Sequence, residues 1–280
     1  MEKICDLHTH SNFSDGSFSP TRLLEMAVEA GLSAIALTDH NTVAGLPEFM
    51  EAATKFPIEA IPGTEFSVDY QGKELHLLGL FIEDKYYGVI NELLDEGIRQ
   101  KEESNIALVE KLSAAGYVMD YETIKAKTPN GQVNRSHIAT ALTEYGYTVN
   151  NKEAFDKLLS AKCGFYVAPP RPDVFQVIRF LKSIGAVTVL AHPFLNLKTE
   201  EALRRFLEQA KPAGLDGMET IYTLFDEEKT RLAKSLADEF DLKHSGGSDF
   251  HGASKPDTAL GTGKGNVKVP LELLERLKER

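Results

Sequence analysis

Six of the eight histidines in this chain stand at or just beyond the ends of short apolar runs. Ile4-Cys5-Asp6-Leu7 runs into His8-Thr9-His10, and Ala34-Ile35-Ala36-Leu37 into Thr38-Asp39-His40. Ile58-Glu59-Ala60-Ile61 leads to Gly63-Thr64-Glu65, and Glu74-Leu75 to His76. Val187-Thr188-Val189-Leu190 ends in Ala191-His192-Pro193. Leu242-Lys243-His244-Ser245 reaches Ser248-Asp249-Phe250-His251 through two glycines. Imidazole and carboxylate without thiolate is the donor chemistry of Zn²⁺, Mn²⁺ or Fe²⁺. Alternate residues of an extended segment point the same way, so His8 and His10 can grip one ion. The same holds for Asp249 and His251 if that segment is extended. The candidate ligands are His8, His10, Asp15, His40, Glu65, His76, His192, Asp249 and His251. They exceed what one tetrahedral ion uses and suit two or three ions, with Glu65 as a bridge. Asp6 and Asp39 precede ligand positions; they either orient imidazoles through the second ring nitrogen or bond backbone. His244, inside the last run, is expected either to be structural, hydrogen-bonded to a neighbour, or to support a ligand from behind.

These residues converge only if the runs are strands of one barrel, whose C-terminal ends share a face. The expected strands are Lys3–Leu7, Ser33–Leu37, Ile58–Ile61, Leu75–Phe81, Ala186–Leu190, Asp216–Glu219 and Leu242–Ser245. Helical patterns lie between them at Pro20–Ala30, Leu46–Lys55, Asp173–Ser183, Glu200–Lys211, Asp226–Phe240 and Leu271–Lys278. This alternation predicts an α/β fold with largely parallel strands. Residues 88–164 carry no strand pattern. Ile90, Leu93 and Leu94, then Ile106, Val109 and Leu112, fall at helical spacing, as do Arg135–Tyr145 and Lys152–Leu159. The simplest division is a barrel segment over 1–87, a helical insert over 88–164 and a second barrel segment over 165–280. Two crossover helices with long loops are the alternative.

The chain has 280 residues, 42% hydrophobic and 26% charged, an ordinary globular balance. Its net charge of -11 argues against a bulk grip on duplex DNA or an anionic membrane. Two cysteines, Cys5 and Cys163, give no disulfide framework and fit a reducing cytoplasm. No apolar run is long enough for a membrane span, and the opening Met1-Glu2-Lys3-Ile4-Cys5 is expected to run into a strand and not to act as a signal peptide. Gly261-Thr262-Gly263-Lys264-Gly265 lacks the spacing of a phosphate-binding Walker loop and reads as a surface turn.

His8-Thr9-His10, Ser14-Asp15-Gly16, Thr38-Asp39-His40-Asn41-Thr42, Gly63-Thr64-Glu65, His76-Leu77-Leu78-Gly79, Leu190-Ala191-His192-Pro193 and Gly247-Ser248-Asp249-Phe250-His251 together resemble the PHP (polymerase and histidinol phosphatase) superfamily. The likeness runs over nearly the whole chain, in the superfamily's motif order. With Asn134-Arg135-Ser136-His137-Ile138-Ala139, the insert is most similar to the 3′,5′-nucleoside bisphosphate phosphatase and ribonuclease AM branch.

The resemblance implies a distorted (β/α)7 barrel with an inserted small helical domain covering a trinuclear metal centre. By analogy His8, His10, Glu65 and Asp249 hold one ion, Glu65, His76 and His192 a second, and Asp15, His40 and His251 a third. Arg135 and His137 are the implied phosphate contacts. The stretch Tyr166-Val167-Ala168-Pro169-Pro170-Arg171-Pro172 departs from the branch's wording, which leaves Arg171 as a guess. The implied activity is a phosphatase on a small phosphorylated nucleotide, releasing the 3′-phosphate of a nucleoside 3′,5′-bisphosphate. Bound divalent ions would bring the pKa of water down to about 7. The alternatives are a 5′-to-3′ exoribonuclease on short RNA, a histidinol-phosphate phosphatase, and a catalytically silent PHP binding module.

Overall fold

Ala34, Ile35, Ala36 and Leu37 are each fully buried, as a strand covered on both faces requires. Alternate residues separate by partner. Ile35 and Leu37 join an apolar cluster with Leu23, Leu24 and Phe49. Ala34 and Ala36 join a second cluster with Cys5, Ile61, Leu78, Val189 and the helical Leu274 and Leu277.

The structure, a computed structural model, describes residues 3–128 and 133–279, with backbone alone for 95 and 96. Residues 129–132 of the expected insert therefore lie outside the described residues, as do Met1, Glu2 and Arg280. The strands are β1 (Ile4–Asp6), β2 (Ala34–Leu37), β3 (Glu59–Tyr70), β4 (Lys73–Leu80), β5 (Val187–Leu190), β6 (Gly217–Tyr222), β7 (Lys243–Gly247) and β8 (Val269–Pro270). They form one sheet in the order β7-β6-β5-β4-β3-β2-β1-β8. Its ends nearly meet: the Leu7 N–H donates to the Gly246 carbonyl at 3.2 Å, and Thr9 bridges Phe250 in parallel. The fold is the expected distorted α/β barrel.

Two strand expectations need correction. The third strand extends from Glu59 to Tyr70, so Glu65 lies within it and not beyond its end. β4 runs antiparallel to both β3 and β5, an exception to the expected parallel pairing that β1–β2, β2–β3, β5–β6 and β6–β7 keep. The cause is a two-residue turn. Gln71 and Gly72 take φ values of 53° and 77°, which fold the chain straight back without a crossover helix. The reversal puts the start of β4, with His76, at the rim where the other strands end. β8 is a two-residue strand pairing antiparallel with β1, with no expectation behind it.

Helices α1 (Pro20–Glu29), α2 (Leu46–Ala53), α7 (Val174–Ser183), α8 (Glu200–Ala213), α9 (Glu227–Glu239) and α10 (Leu271–Lys278) flank the sheet. α1 begins where Pro after Ser predicts: the Ser19 hydroxyl accepts from the Arg22 N–H. Between β4 and α7 the described residues contain no strand. α3 (Tyr87–Ala114) starts in the barrel core at Ile90 and Leu94. Its far end packs through Leu108, Val109 and Leu112 into a separate apolar cluster. α4 (Tyr121–Lys127), α5 (Arg135–Glu144) and α6 (Asn151–Ala154) complete that cluster, with a π-helical turn at Phe155–Leu159.

The seam between β1 and β7 leaves no room for a side chain at Gly247. A Cβ there would lie 2.4 Å from the His8 Cβ and 2.6 Å from its nitrogen. Gly247→Ala is expected to lower stability by about 1–3 kcal/mol. Urea unfolding tests this, and an unchanged midpoint would contradict a tightly closed seam.

Candidate metal centre and its cleft

Glu65 is fully buried, and a buried carboxylate needs cations or donors around it. Its backbone is held first: the Glu65 N–H donates to the Asp39 carbonyl at 3.1 Å, and its own carbonyl accepts from Asn41 at 2.8 Å. Its carboxylate then meets five imidazoles. Oε1 lies 2.8 Å from His76 Nδ1 and 2.9 Å from His192 Nε2. Oε2 lies 3.2 Å from His8 Nε2, 3.3 Å from His10 Nε2 and 3.0 Å from His40 Nδ1. The sixth, His251, lies 3.2 Å from Asp15 Oδ1 and 3.4 Å from Asp249 Oδ1. Asp249 Oδ1 closes the ring at 3.2 Å from His10 Nε2. All nine residues named from the sequence are thus brought to one rim.

Four sets present donor atoms close enough to share an ion. They are His8, His10 and Asp249; His8, Glu65 and His192; His40, Glu65 and His76; and His10, Asp15, His40 and His251. Buried atoms left without a hydrogen bond mark the same place: His8 Nε2, His10 Nε2, Asp15 Oδ1 and Glu65 Oε2. Such atoms are costly unless something else meets them. Divalent cations with nitrogen and oxygen preference fit this donor set.

Charge favours cation capture as well. Burial opposes ionisation of Asp15, Glu65 and Asp249, yet the surrounding imidazoles and Lys255 hold all three well below the ordinary carboxylate range. His251 and His40 act on Asp15, His40 and His8 on Glu65, and Lys255 and His251 on Asp249. Burial pushes His40 down to about 4, against the opposing pull of Glu65 and Asp15. His76 resists burial and is pushed up to about 10 by Glu65 and Glu74. A cation at Glu65 would compete with that proton.

Asp6 and Asp39 reach no imidazole. Asp6 accepts from the Ser248 N–H and hydroxyl and from the Gly261 N–H, at 2.9, 2.5 and 2.8 Å. Asp39 accepts from the Ser11 N–H and hydroxyl and the Ser14 hydroxyl, at 2.8, 2.6 and 2.6 Å. Of the two alternatives, backbone bracing is what the structure contains: each carboxylate satisfies donors of a loop carrying ligands. Gly261 is accordingly buried, so the glycine-rich stretch is more than a surface turn. Asp249 is not extended either. Its φ is 55°, and His251 Nδ1 lies 2.8 Å from the Asp249 carbonyl. The two reach one site through a turn. His244 stays structural, bonded to Thr220 and Asp238.

Several neighbours of the cluster were not anticipated. Glu219 lies 3.0 Å from His8 Nδ1. Asp249 Oδ2 accepts from the Tyr222 hydroxyl and from Lys255 Nζ, each at 2.7 Å. Glu74 lies 3.5 Å from His76 Nε2 and 2.8 Å from Arg171 Nη2. His76 and Arg171 hold Glu74 down to about 2 against the effect of burial. One signal was available for Glu219: a carboxylate inside an otherwise apolar strand demands a partner.

A cleft of about 490 Å³ opens from Asp15, His40 and His76. α3 contributes Lys101, the start of α5 contributes Arg135, and the preceding-α7 segment contributes Arg171. The Arg135 guanidinium sits 4.1 Å over the Tyr166 ring and is not a surface charge. Lys101 bonds the Asn134 amide oxygen. His137 stands differently. Its Nδ1 accepts the Asn134 N–H at 3.0 Å as part of a capping box, and burial holds its pKa down, so only Nε2–H remains to donate.

The model of the PHP domain matches residues 6–166. The chain is 34% identical over 90% of its length to a 5′-3′ exoribonuclease of Haemophilus influenzae, covering 91% of that protein. It is 30% identical to a phosphoribosyl 1,2-cyclic phosphate 1,2-diphosphodiesterase of Eggerthella lenta, over 89% of this chain and 94% of that one. It is 28% identical to a 3′,5′-nucleoside bisphosphate phosphatase of Chromobacterium violaceum, over 88% and 86%. A crystal structure from Bifidobacterium adolescentis, described as a candidate metal-dependent phosphoesterase, superposes with a TM-score of 0.87 at 29% identity, covering 98% of this chain and 95% of that one. No helix among the described residues is long and apolar enough to cross a membrane.

Cations binding the folded cluster stabilise the protein by mass action, about 2.7 kcal/mol at a hundredfold excess over Kd. Chelation is expected to lower Tm by roughly 5–10 °C, reversed by added Mn²⁺ or Zn²⁺. Differential scanning fluorimetry checks this; a Tm indifferent to both would contradict an ion-binding cluster.

Proposed function

Because the chain belongs to the PHP domain family and is a metal-dependent phosphoesterase, we propose that its substrate is a small nucleotide and that it releases the 3′-phosphate of a nucleoside 3′,5′-bisphosphate. The observation that carries this reading is the cleft. It joins the ligand cluster at one end and carries Lys101, Arg135 and Arg171 on its wall, beside Phe155 and Tyr166. Its size suits one nucleotide with a second anionic group away from the ligands. The relative from Chromobacterium violaceum bears the corresponding name.

In this reading two or three divalent ions are held by His8, His10, Glu65 and Asp249, by Glu65, His76 and His192, and by Asp15, His40 and His251. When bound, such ions supply a hydroxide nucleophile at neutral pH and neutralise phosphate charge. The chain's own residues do the rest. Arg135 grips phosphate oxygens with its planar fork, held in place over the Tyr166 ring. Arg171 shares its charge between Glu74 and the second phosphate. Lys101 adds a point charge from α3, and His137 donates through Nε2–H. The 88–164 segment acts as a separate helical module that roofs the cleft. The unpaired cysteines suit a cytoplasmic setting.

A second reading is favoured by the exoribonuclease relative at 34% identity: 5′-to-3′ trimming of short RNA through the same cluster. Net charge of -11 weighs against long RNA, though a local cationic groove could act alone.

A panel of adenosine 3′,5′-bisphosphate, a short 5′-phosphorylated RNA, a ribose 1,2-cyclic phosphate and histidinol phosphate, with Mn²⁺ present, separates the substrates. The bisphosphate is expected to give the highest kcat/KM and to yield AMP. Preferred turnover of any other member would overturn the substrate assignment.

Arg135→Ala is expected to cost about 10–100-fold in kcat/KM on the bisphosphate, the worth of a charged hydrogen bond or two. The loss on phenyl phosphate is expected to be much smaller. Equal losses would remove Arg135 from nucleotide recognition.

A further inference from the structure

The carboxylate of Glu219 has a split task. It is fully buried on β6 and touches two candidate ligands from different strands. Oε1 lies 3.0 Å from His8 Nδ1, and Oε2 accepts the His192 backbone N–H at 2.6 Å. His192 takes a φ of 28°, which a non-glycine residue keeps only when its surroundings fix it. A carboxylate only accepts, so His8 must donate from Nδ1. An imidazole that holds an ion is neutral and has one proton, which in the ion-bound protein leaves His8 Nε2 bare. That is the atom facing Glu65 and Asp249, at 3.2 and 3.6 Å.

We propose that Glu219 is a positioning residue that locks His8 in the Nδ1-protonated tautomer while pinning the His192 backbone, so that both rings are presented to the same ion cluster. The inference rests on reading His8 as an ion ligand. It reaches further by assigning the choice of ring nitrogen to a residue that touches no ion.

The isosteric amide tests the point. A glutamine at this position has one acceptor and one donor. The His192 N–H requires the acceptor, so the amide NH₂ faces His8 Nδ1. His8 then accepts at Nδ1 and carries its proton on Nε2, where it cannot ligate. Glu219→Gln should therefore bind zinc about 10–100-fold more weakly, with its far-UV circular dichroism unchanged. In zinc-reconstituted wild type, ¹⁵N-histidine NMR should find His8 protonated at Nδ1. In the variant the proton should move to Nε2.

Wild-type zinc affinity in Glu219→Gln, in a chain where His8→Ala loses affinity, would overturn the role of Glu219 alone. Wild-type affinity in His8→Ala would instead overturn the ligand reading beneath it. Should the glutamine variant fail to fold, the wild-type spectrum decides: an Nδ1 without a proton refutes the proposal.

Discussion

A single carboxylate surrounded by imidazoles dictates how the rest of this chain is arranged. Glu65 is wholly out of water, and five histidine rings from four separate stretches of chain approach its two oxygens. Burying an ion costs several kcal/mol even after relaxation. The cluster is tolerable only if positive charge sits at its centre. Strand ends converging on one rim supply that geometry, and the reversed strand β4 brings in His76 from a direction a parallel sheet could not.

The cluster also constrains its surroundings. Asp6 and Asp39 each gather backbone and hydroxyl donors from ligand-bearing loops, so those loops cannot drift. Asn41, His192 and Asp249 adopt positive φ values of 49°, 28° and 55°. Strain of about 1–3 kcal/mol per residue persists only where neighbouring contacts over-determine the backbone. Its presence beside three ligand positions says that placement of donor atoms takes precedence over local comfort. The cleft continues the same logic. Lys101, Arg135 and Arg171 line the cleft beside the candidate ligands, with Glu74 and Glu102 on the same wall, which is the charge arrangement the proposed anionic substrate would meet.

Much of this was legible in the residues because histidine at the end of an apolar run is a local signal. His8, His40 and His192 each lie within three residues of the end of a buried strand, and the structure brings them together. Glu65 was legible in type but not in setting. The strand continues beyond Ile61 because Gln71-Gly72 permits a tight hairpin, and that turn competes with a crossover in a way periodicity does not resolve. The roles of Asp6 and Asp39 depended on which donors lie opposite across the barrel, here Ser248, Gly261, Ser11 and Ser14. Glu219 announced by its apolar strand that it needed a partner, but not which one: the partners of Glu219 and Tyr222, His8 and Asp249, lie far away in sequence, and Lys255 meets Asp249 across an irregular turn that carries no periodic pattern. Arg135 entered only through the motif Asn134-Arg135-Ser136-His137, and its stacking on Tyr166 depends on how the helical segment folds back over the rim.

The central claim is that these six histidines and three carboxylates bind more than one divalent ion about a shared Glu65. Anomalous diffraction from crystals grown with Mn²⁺, collected at its absorption edge, addresses that claim most directly. The account predicts two or three peaks within the cluster, with the Glu65 carboxylate lying between at least two of them. A single peak, or manganese bound only elsewhere on the protein, would contradict it.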